Sequence, residues 1–175
     1  MKRKLLVILL AVGSAIACAP LSREIMDRVD TTLTFQDIQK NPDAYRGKMV
    51  LWGGVIVETN NKQQETLIKV RQTELDYQKR PIHLDRSLGR FLIRQPGFLD
   101  PAIYSAGREI TVAGEVAGKE VQPLGNSQYA YPTVAAKELY LWERTPVYQP
   151  IYPPWYYDPY YLWWPHYPYW RHPWR

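Results

Sequence analysis

The chain has 175 residues, with 22 Lys and Arg against 17 Asp and Glu, and its formal net charge is +5. This length suits one compact domain, and the single cysteine excludes an intrachain disulfide framework and a CxxC metal or redox site. Lys2, Arg3 and Lys4 lie in a segment that we expect to be removed, which leaves 19 basic residues against 17 acidic ones. Because proteins attract nucleic acid through clustered cations, we expect no nucleic-acid partner for so balanced a chain.

The N-terminus has the three-part layout of an export signal. A basic start precedes an apolar run over residues 5–17, and small residues stand just before Cys18. The run is too short to span a bilayer comfortably, so it predicts a signal peptide over residues 1–17, cleaved between Ala17 and Cys18. The segment also resembles a bacterial lipoprotein box, although Ala15 stands where that box usually has leucine.

Two interpretations of Cys18 share this cleavage site. Either the protein is secreted with an unmodified thiol, or the thiol carries lipid; we favour lipid because the only cysteine stands where lipidation requires it. The lipoprotein resemblance implies a diacylglycerol thioether and an N-acyl chain such as palmitate, and Ala19 in the next position implies sorting to the outer membrane. Each buried methylene contributes about 0.8 kcal/mol, so such an anchor is effectively permanent. Beyond this covalent lipid we expect no cofactor and no metal.

A lipidated polar tether over residues 18–33 is predicted to lead into the folded domain, which we place at residues 34–144. The domain opens with a short helix, because Thr34 is a suitable N-cap and Asp37 completes an approximate capping box. Gly47 offers a stop to this helical segment.

Six short segments rich in β-branched and aromatic residues follow, separated by Gly, Pro or polar turns: KMVLWGGVIVE, TLIKV, RFLI, REITVAGEVAG, YAYPTV and LYLW. This pattern predicts a mainly all-β fold. We favour a small OB-like β barrel with short helical turns, and a flatter two-sheet sandwich is the alternative.

An internal echo between residues 41–56 and 100–116 supports the barrel. Both copies contain a Pro-x-x-Tyr turn, a glycine, a basic residue and then alternating apolar positions with a glycine inside the strand. Such a glycine usually marks a bulge or a tight barrel corner. The alternation predicts one buried face in each copy, made by Val50, Trp52, Gly54 and Ile56 and by Ile110, Val112, Gly114 and Val116.

Catalytic chemistry has few candidate residues, so we expect no enzyme and name no catalytic residue. His83 is the single histidine of the predicted domain, and Asp85 and Ser87 near it lack a nucleophile elbow or metal-ligand spacing. Glu109 and Glu115 are predicted to be surface charges rather than an acid/base pair. Four loop arginines are predicted to be solvated rather than to form a nucleic-acid site: Arg80, Arg86, Arg90 and Arg94.

Residues 35–142 resemble the Slp family of outer-membrane lipoproteins. The resemblance is carried by NPDAYRGKMVLWGGVI, by GRFLI and GFLDPAIY, by REITVAGEV and YAYP, and by the closing LYLW. It implies a lipid-anchored outer-membrane protein associated with starvation or stationary-phase stress and with the robustness of the cell envelope. It implies no reaction and no ligand.

The C-terminal segment, residues 145–175, holds 8 prolines, 8 tyrosines and 5 tryptophans, which predicts an extended or disordered tail. Three interpretations remain open: an extension that collapses on its own domain, a contact with the membrane interface, or a surface that stacks on peptidoglycan sugars or on another envelope protein. The candidate contact residues for lipid or glycan are Trp155, Trp163, Trp164, Trp170 and Trp174.

Together these features predict a non-enzymatic lipoprotein that is anchored to the outer membrane, on its periplasmic face, and that supports envelope integrity or adaptation to starvation and stationary-phase stress. The alternative is a module, displayed from the outer membrane, that binds a periplasmic ligand or partner. An envelope hydrolase would need a concave pocket with ionisable groups converging on His83.

Overall fold

The structure is a computed structural model, and it describes residues 21–144. The predicted cleavage site, the Cys18 anchor and the tail from residue 145 therefore lie outside the described residues. Helix α1 (Arg23–Met26), helix α2 (Phe35–Lys40) and a 3₁₀ helix (Pro42–Tyr45) precede five strands. The strands are β1 (Met49–Asn61), β2 (Glu65–Thr73), β3 (Arg90–Pro96), β4 (Glu109–Leu124) and β5 (Ser127–Leu141).

The five strands form a closed barrel in the order β1-β2-β3-β5-β4, and β4 pairs back with β1. All the pairings are antiparallel except that of β3 with β5, which is parallel. A five-stranded barrel with this Greek-key order is the OB topology. The predicted OB-like barrel is confirmed, and the two-sheet sandwich is wrong.

The last two predicted strands are one. YAYPTV and the first three residues of LYLW belong to the single strand β5, which pairs with β4 from Leu124↔Ser127 to Ile110↔Leu141. Proline is tolerated in strands at irregular positions, and Pro132 lies opposite Lys119, just beyond a register shift in β4. The polar residues that predicted a break between two strands therefore lie inside one long strand, whose pairing with β4 is irregular.

The predicted buried faces of the internal echo are confirmed. Val50 and Ile56 of β1 and Ile110 and Val112 of β4 are at most 1% exposed and lie in one core cluster. Trp52 joins them, with its ring edge-on to two phenylalanines, Phe35 at 4.9 Å and Phe91 at 5.2 Å between ring centroids. The helical segment before β1 therefore contributes to the same core as the strands.

Both mid-strand glycines lie where another backbone comes very close. A Cβ atom on Gly54 would lie 2.0 Å from the carbonyl oxygen of Arg71, and one on Gly114 would lie 2.3 Å from that of Ala135. Gly114 also borders a register shift in the pairing of β4 with β5, the bulge that the sequence predicted. Only glycine allows the strands to approach this closely at these turns of the barrel wall.

Helix α2 closes the barrel at the end where β1 begins. Its predicted cap is confirmed, since the Thr34 hydroxyl accepts a hydrogen bond from the Asp37 amide at 3.2 Å and donates one to the Asp37 carboxylate. That second bond lowers the pKa of Asp37. Phe35 and Ile38 on the inner face of the helix are buried, so the cap fixes the start of an element that fills the core.

The opposite end of the barrel, where β4 begins and β5 ends, is crossed by the loop of residues 97–107. Leu99 and Tyr104 of this loop pack against the core cluster. The two ends of the barrel are thus closed by different devices, a capped helix at one and a packed loop at the other.

Residues 21–33, the described part of the predicted tether, lie against the barrel. Leu21 is 4% exposed, the Ser22 amide donates to the Glu138 carboxylate at 2.7 Å, and the Asp30 amide donates to the Met49 carbonyl at 3.0 Å. Over residues 21–144 no helix is both long enough and apolar enough to cross a membrane.

Candidate functional site

Only a short length of chain separates the predicted anchor from the folded domain. Leu21 is buried only three residues after Cys18, and three residues span at most about 11 Å. Lipid on Cys18 would therefore lie within about 11 Å of the buried Leu21 rather than at the end of a long arm. The five candidate tryptophans of the tail, Trp155 to Trp174, lie outside the described residues, so their role stays a prediction.

The surroundings of His83 do not form a catalytic centre. Its side chain is about half exposed, and Nδ1 lies 3.0 Å from a Glu74 carboxylate oxygen that is itself exposed. The Ser87 hydroxyl donates instead to the Gly89 carbonyl at 2.8 Å. Residues 21–144 contain no group of three or more His, Cys, Asp or Glu side chains arranged to hold a metal ion.

The other charged candidates are paired with opposite charges on the barrel surface. Arg80 contacts Glu109 at 2.7 Å, and this hydrogen bond raises the pKa of Arg80. Lys137 lies 3.2 Å from Glu115. The two glutamates therefore act in separate ion pairs rather than as an acid and a base.

Two of the four predicted loop arginines lie on a strand instead, since Arg90 and Arg94 belong to β3. Arg94 pairs with Glu65 at 3.4 Å on strand β2, while Arg80 reaches over the Trp142 ring, 5.5 Å from its centroid. These two guanidinium groups serve different contacts and do not share one basic groove. A nucleic-acid site of the OB type needs such a groove.

A cleft between two hairpins is the site that the sequence did not reveal. The β4–β5 hairpin reaches the β1–β2 turn, where Lys62 and Glu120 lie 4.0 Å apart. Between them is a cavity of about 70 Å³ lined by Glu58, Asn60, Lys62, Leu67, Lys69, Leu92 and Gln122. In OB folds the outer face of strands 2 and 3, between these same two loops, is where ligands bind.

The cleft has an apolar floor and a polar rim. Leu67 and Leu92 are 4% and 1% exposed, and Lys69 lies 2.9 Å from Glu58 and 5.5 Å above the ring of Tyr131. The Tyr131 hydroxyl is buried and has no hydrogen-bond partner among residues 21–144. This recess is large enough for one small polar group, such as an amide, rather than for a whole ligand.

Comparison with known proteins assigns the chain to a family. A family model described as "Outer membrane lipoprotein Slp family" matches residues 16–170, which is most of the chain and includes Cys18. The chain belongs to this family. The resemblance inferred from the sequence motifs is therefore confirmed.

Three relatives of this Slp-family chain illustrate the spread of the family. "Outer membrane protein Slp" of Escherichia coli K12 is 27% identical over 85% of this chain and 79% of its own length. "Uncharacterized lipoprotein YeaY" of the same organism is 30% identical over 71% of this chain and 63% of its own length. An "Uncharacterized protein" of Haemophilus influenzae is 32% identical over 58% of this chain and 55% of its own length.

Family membership makes this chain an outer-membrane lipoprotein, in agreement with the export signal read from its N-terminus. The described part of the Slp-family protein is an OB-like barrel that carries this small cleft between two of its hairpins.

Proposed function

We propose that this Slp-family protein is held by lipid on Cys18 at the periplasmic face of the outer membrane. Its role there is non-enzymatic: it supports the integrity of the envelope, or its adaptation to starvation and stationary-phase stress. The observation that carries the proposal is the family match over residues 16–170, with the only cysteine at the first position of the predicted mature chain. The exposed His83–Glu74 pair supports a non-enzymatic role, because neither side chain lines the cleft between the hairpins.

The mass of the mature N-terminal peptide tests the anchor directly. We expect cleavage before Cys18 and a mass increase that equals a diacylglyceryl group plus one acyl chain. Sucrose-gradient fractions of the same cells should place the protein in the outer membrane. An unmodified peptide that begins at Cys18, or a peptide that retains residues 1–17, would contradict the proposal.

The aromatic tail is proposed as a second contact with the envelope. Tyrosine and tryptophan favour the membrane–water interface, and their rings also stack on flat sugar faces. Trp155, Trp163, Trp164, Trp170 and Trp174 are the candidate residues for either lipid or peptidoglycan.

A second candidate function is favoured by the inter-hairpin cleft: a module that binds a periplasmic ligand. About 70 Å³ admits one small group rather than a sugar ring, so Leu67 and Leu92 would contact the methyl of a single N-acetyl group, and Asn60, Gln122 and Lys69 would meet its polar atoms. An N-acetylated cell-wall sugar is therefore the ligand class that we propose for the cleft, with one acetamido group inside it and the sugar rings outside.

Titration of the ¹⁵N-labelled protein with a muramyl disaccharide tests this candidate. We expect saturable amide shifts at the cleft residues and their loss in Lys69→Met. Lys137→Met is the matched control, because Lys137 is ion-paired at 3.2 Å on the barrel surface away from the cleft. Shifts scattered over the surface, or equal effects of the two variants, would contradict binding in the cleft.

A further inference from the structure

Two large apolar side chains on the loop of residues 97–107 are exposed to solvent. Phe98 is 74% exposed and Ile103 is 53% exposed, whereas their neighbours Leu99 and Tyr104 pack against the core. We call Phe98 and Ile103 the loop patch. Single exposed apolar residues are common on protein surfaces, so the patch gains meaning only from how it is held and where it lies.

The loop that carries the patch is fixed to the barrel by side-chain hydrogen bonds on both sides. Asn61 donates to the Leu99 carbonyl at 3.0 Å, and the Thr59 hydroxyl donates to the Tyr104 carbonyl at 2.6 Å. The buried Thr66 hydroxyl donates to the Gly97 carbonyl at 2.8 Å. The patch is therefore held in place before it meets any partner, which lowers the entropy cost of binding.

The patch lies at the end of the barrel from which the chain leaves for its tail. The Trp142 amide donates to the backbone carbonyl of Glu109, the first residue of β4, at 3.0 Å. The Arg144 guanidinium donates to the Ser105 hydroxyl at 3.0 Å. Both the last described residue and the exposed side chains thus belong to one end of the barrel.

The N-terminal side of the chain comes close to this same end. Ser22 is bonded to Glu138, which lies three residues before Leu141 at the end of β5, or about 10 Å along the strand. The three-residue step from Cys18 to Leu21 spans at most about 11 Å. An acyl chain on Cys18 is therefore within reach of the end that carries the loop patch.

We propose that Phe98 and Ile103 insert into the leaflet that holds the lipid on Cys18, so that the barrel rests on the bilayer with this end down. The inference rests on the proposed lipid anchor, which selects the leaflet and holds the bilayer within reach; without the anchor the loop patch should still bind lipid, but only weakly and at high lipid concentration. Arg108 and Arg144 near the patch are balanced by Asp100 and Glu143. The contact is thus apolar, and it should depend little on anionic lipid or on salt.

Single-cysteine labelling of the full mature chain tests the insertion. Cys18→Ser removes the only thiol, and Phe98→Cys or Ile103→Cys then carries an environment-sensitive NBD dye. On vesicles of phosphatidylethanolamine and phosphatidylglycerol, we expect a blue-shifted emission and a severalfold rise in intensity at both positions. Val121→Cys is the matched control, because Val121 is 57% exposed and lies on the β4–β5 hairpin, twelve residues beyond the start of β4.

A second measurement uses no dye. In the Cys18→Ser background, replacing Phe98 and Ile103 together with serine should weaken partition into the same vesicles about tenfold, since two exposed apolar side chains no longer enter lipid. Far-UV circular dichroism should be unchanged, because neither side chain contributes to the core.

The outcomes separate this proposal from the anchor on which it rests. Dyes at positions 98 and 103 that behave like the dye at position 121 would overturn the insertion while the mass of the N-terminal peptide still showed lipid. A blue shift that appears without vesicles and grows with protein concentration would instead identify a second copy as the partner of the patch. An unlipidated N-terminal peptide would overturn the anchor and leave the dye result standing as a lipid contact of the barrel itself.

Discussion

Replacing Cys18 with serine is expected to move this lipoprotein from the outer-membrane fraction to the soluble periplasm. The acyl chains that the proposal assigns to Cys18 are the strongest membrane contact, since about 0.8 kcal/mol is lost for each methylene no longer buried. We expect nearly all of the protein to appear in the osmotic-shock fluid, as measured by immunoblot against a periplasmic marker.

Ala19→Ser is the matched control, because it places the same side chain one position later and leaves the thiol intact. This variant should stay with the membrane. If Cys18→Ser and Ala19→Ser sediment equally with the membrane when both also lack the tail, the result would contradict the anchor.

The contribution of the tail to membrane binding is tested separately, by truncation. A stop after Arg144 removes the five candidate tryptophans, and it is made both with and without Cys18→Ser. If the tail binds lipid, Cys18→Ser alone should leave a residual membrane fraction that the truncation abolishes. If it binds cell wall, the truncation should abolish pull-down by purified peptidoglycan and leave vesicle binding unchanged. No change in either assay would favour a tail that only covers its own domain.

The strand faces could be predicted because they depend on local patterns, and the mid-strand glycines favoured a barrel over a sandwich. The alternation around Trp52 and Val112 fixes which side of β1 and β4 is buried, whatever the rest of the chain does. The Thr34 cap is equally local, since its partner Asp37 is three residues away. The position of Cys18 follows from the N-terminal motif alone, so the predicted anchor needs no tertiary structure.

What the sequence left open depends on contacts between distant residues. Leu21 looks like part of a polar tether, yet it is buried, and its neighbour Ser22 is bonded to Glu138, 116 residues later in the chain. Phe98 and Leu99 are adjacent and both apolar, yet only Leu99 packs inward. The cleft exists because Lys62 and Glu120, on separate hairpins, come within 4.0 Å. Spacing along the chain carries none of this information.

The close approach of strands at Gly54 leads to the second large effect. In Gly54→Ala, the new methyl carbon would lie 2.0 Å from the Arg71 carbonyl oxygen and 2.8 Å from its carbonyl carbon. Both are backbone atoms of the paired strand β2, so they cannot swing aside as a flexible side chain would. Relief requires the β1–β2 ladder to part in the middle of the barrel, which should lower the free energy of unfolding by about 3 kcal/mol.

Urea denaturation followed by far-UV circular dichroism, in the Cys18→Ser background, measures this loss. The matched control is Gly125→Ala in the β4–β5 turn, where a Cβ would meet no atom within 4 Å but the φ angle is +60°. That variant bears only the cost of a left-handed backbone, about 1 kcal/mol. Gly114→Ala should resemble Gly54→Ala, because its methyl carbon would lie 2.3 Å from the Ala135 carbonyl oxygen. A smaller loss for Gly54→Ala than for Gly125→Ala would show that the barrel wall yields at this point, and that the repeated glycine serves another purpose than close strand approach.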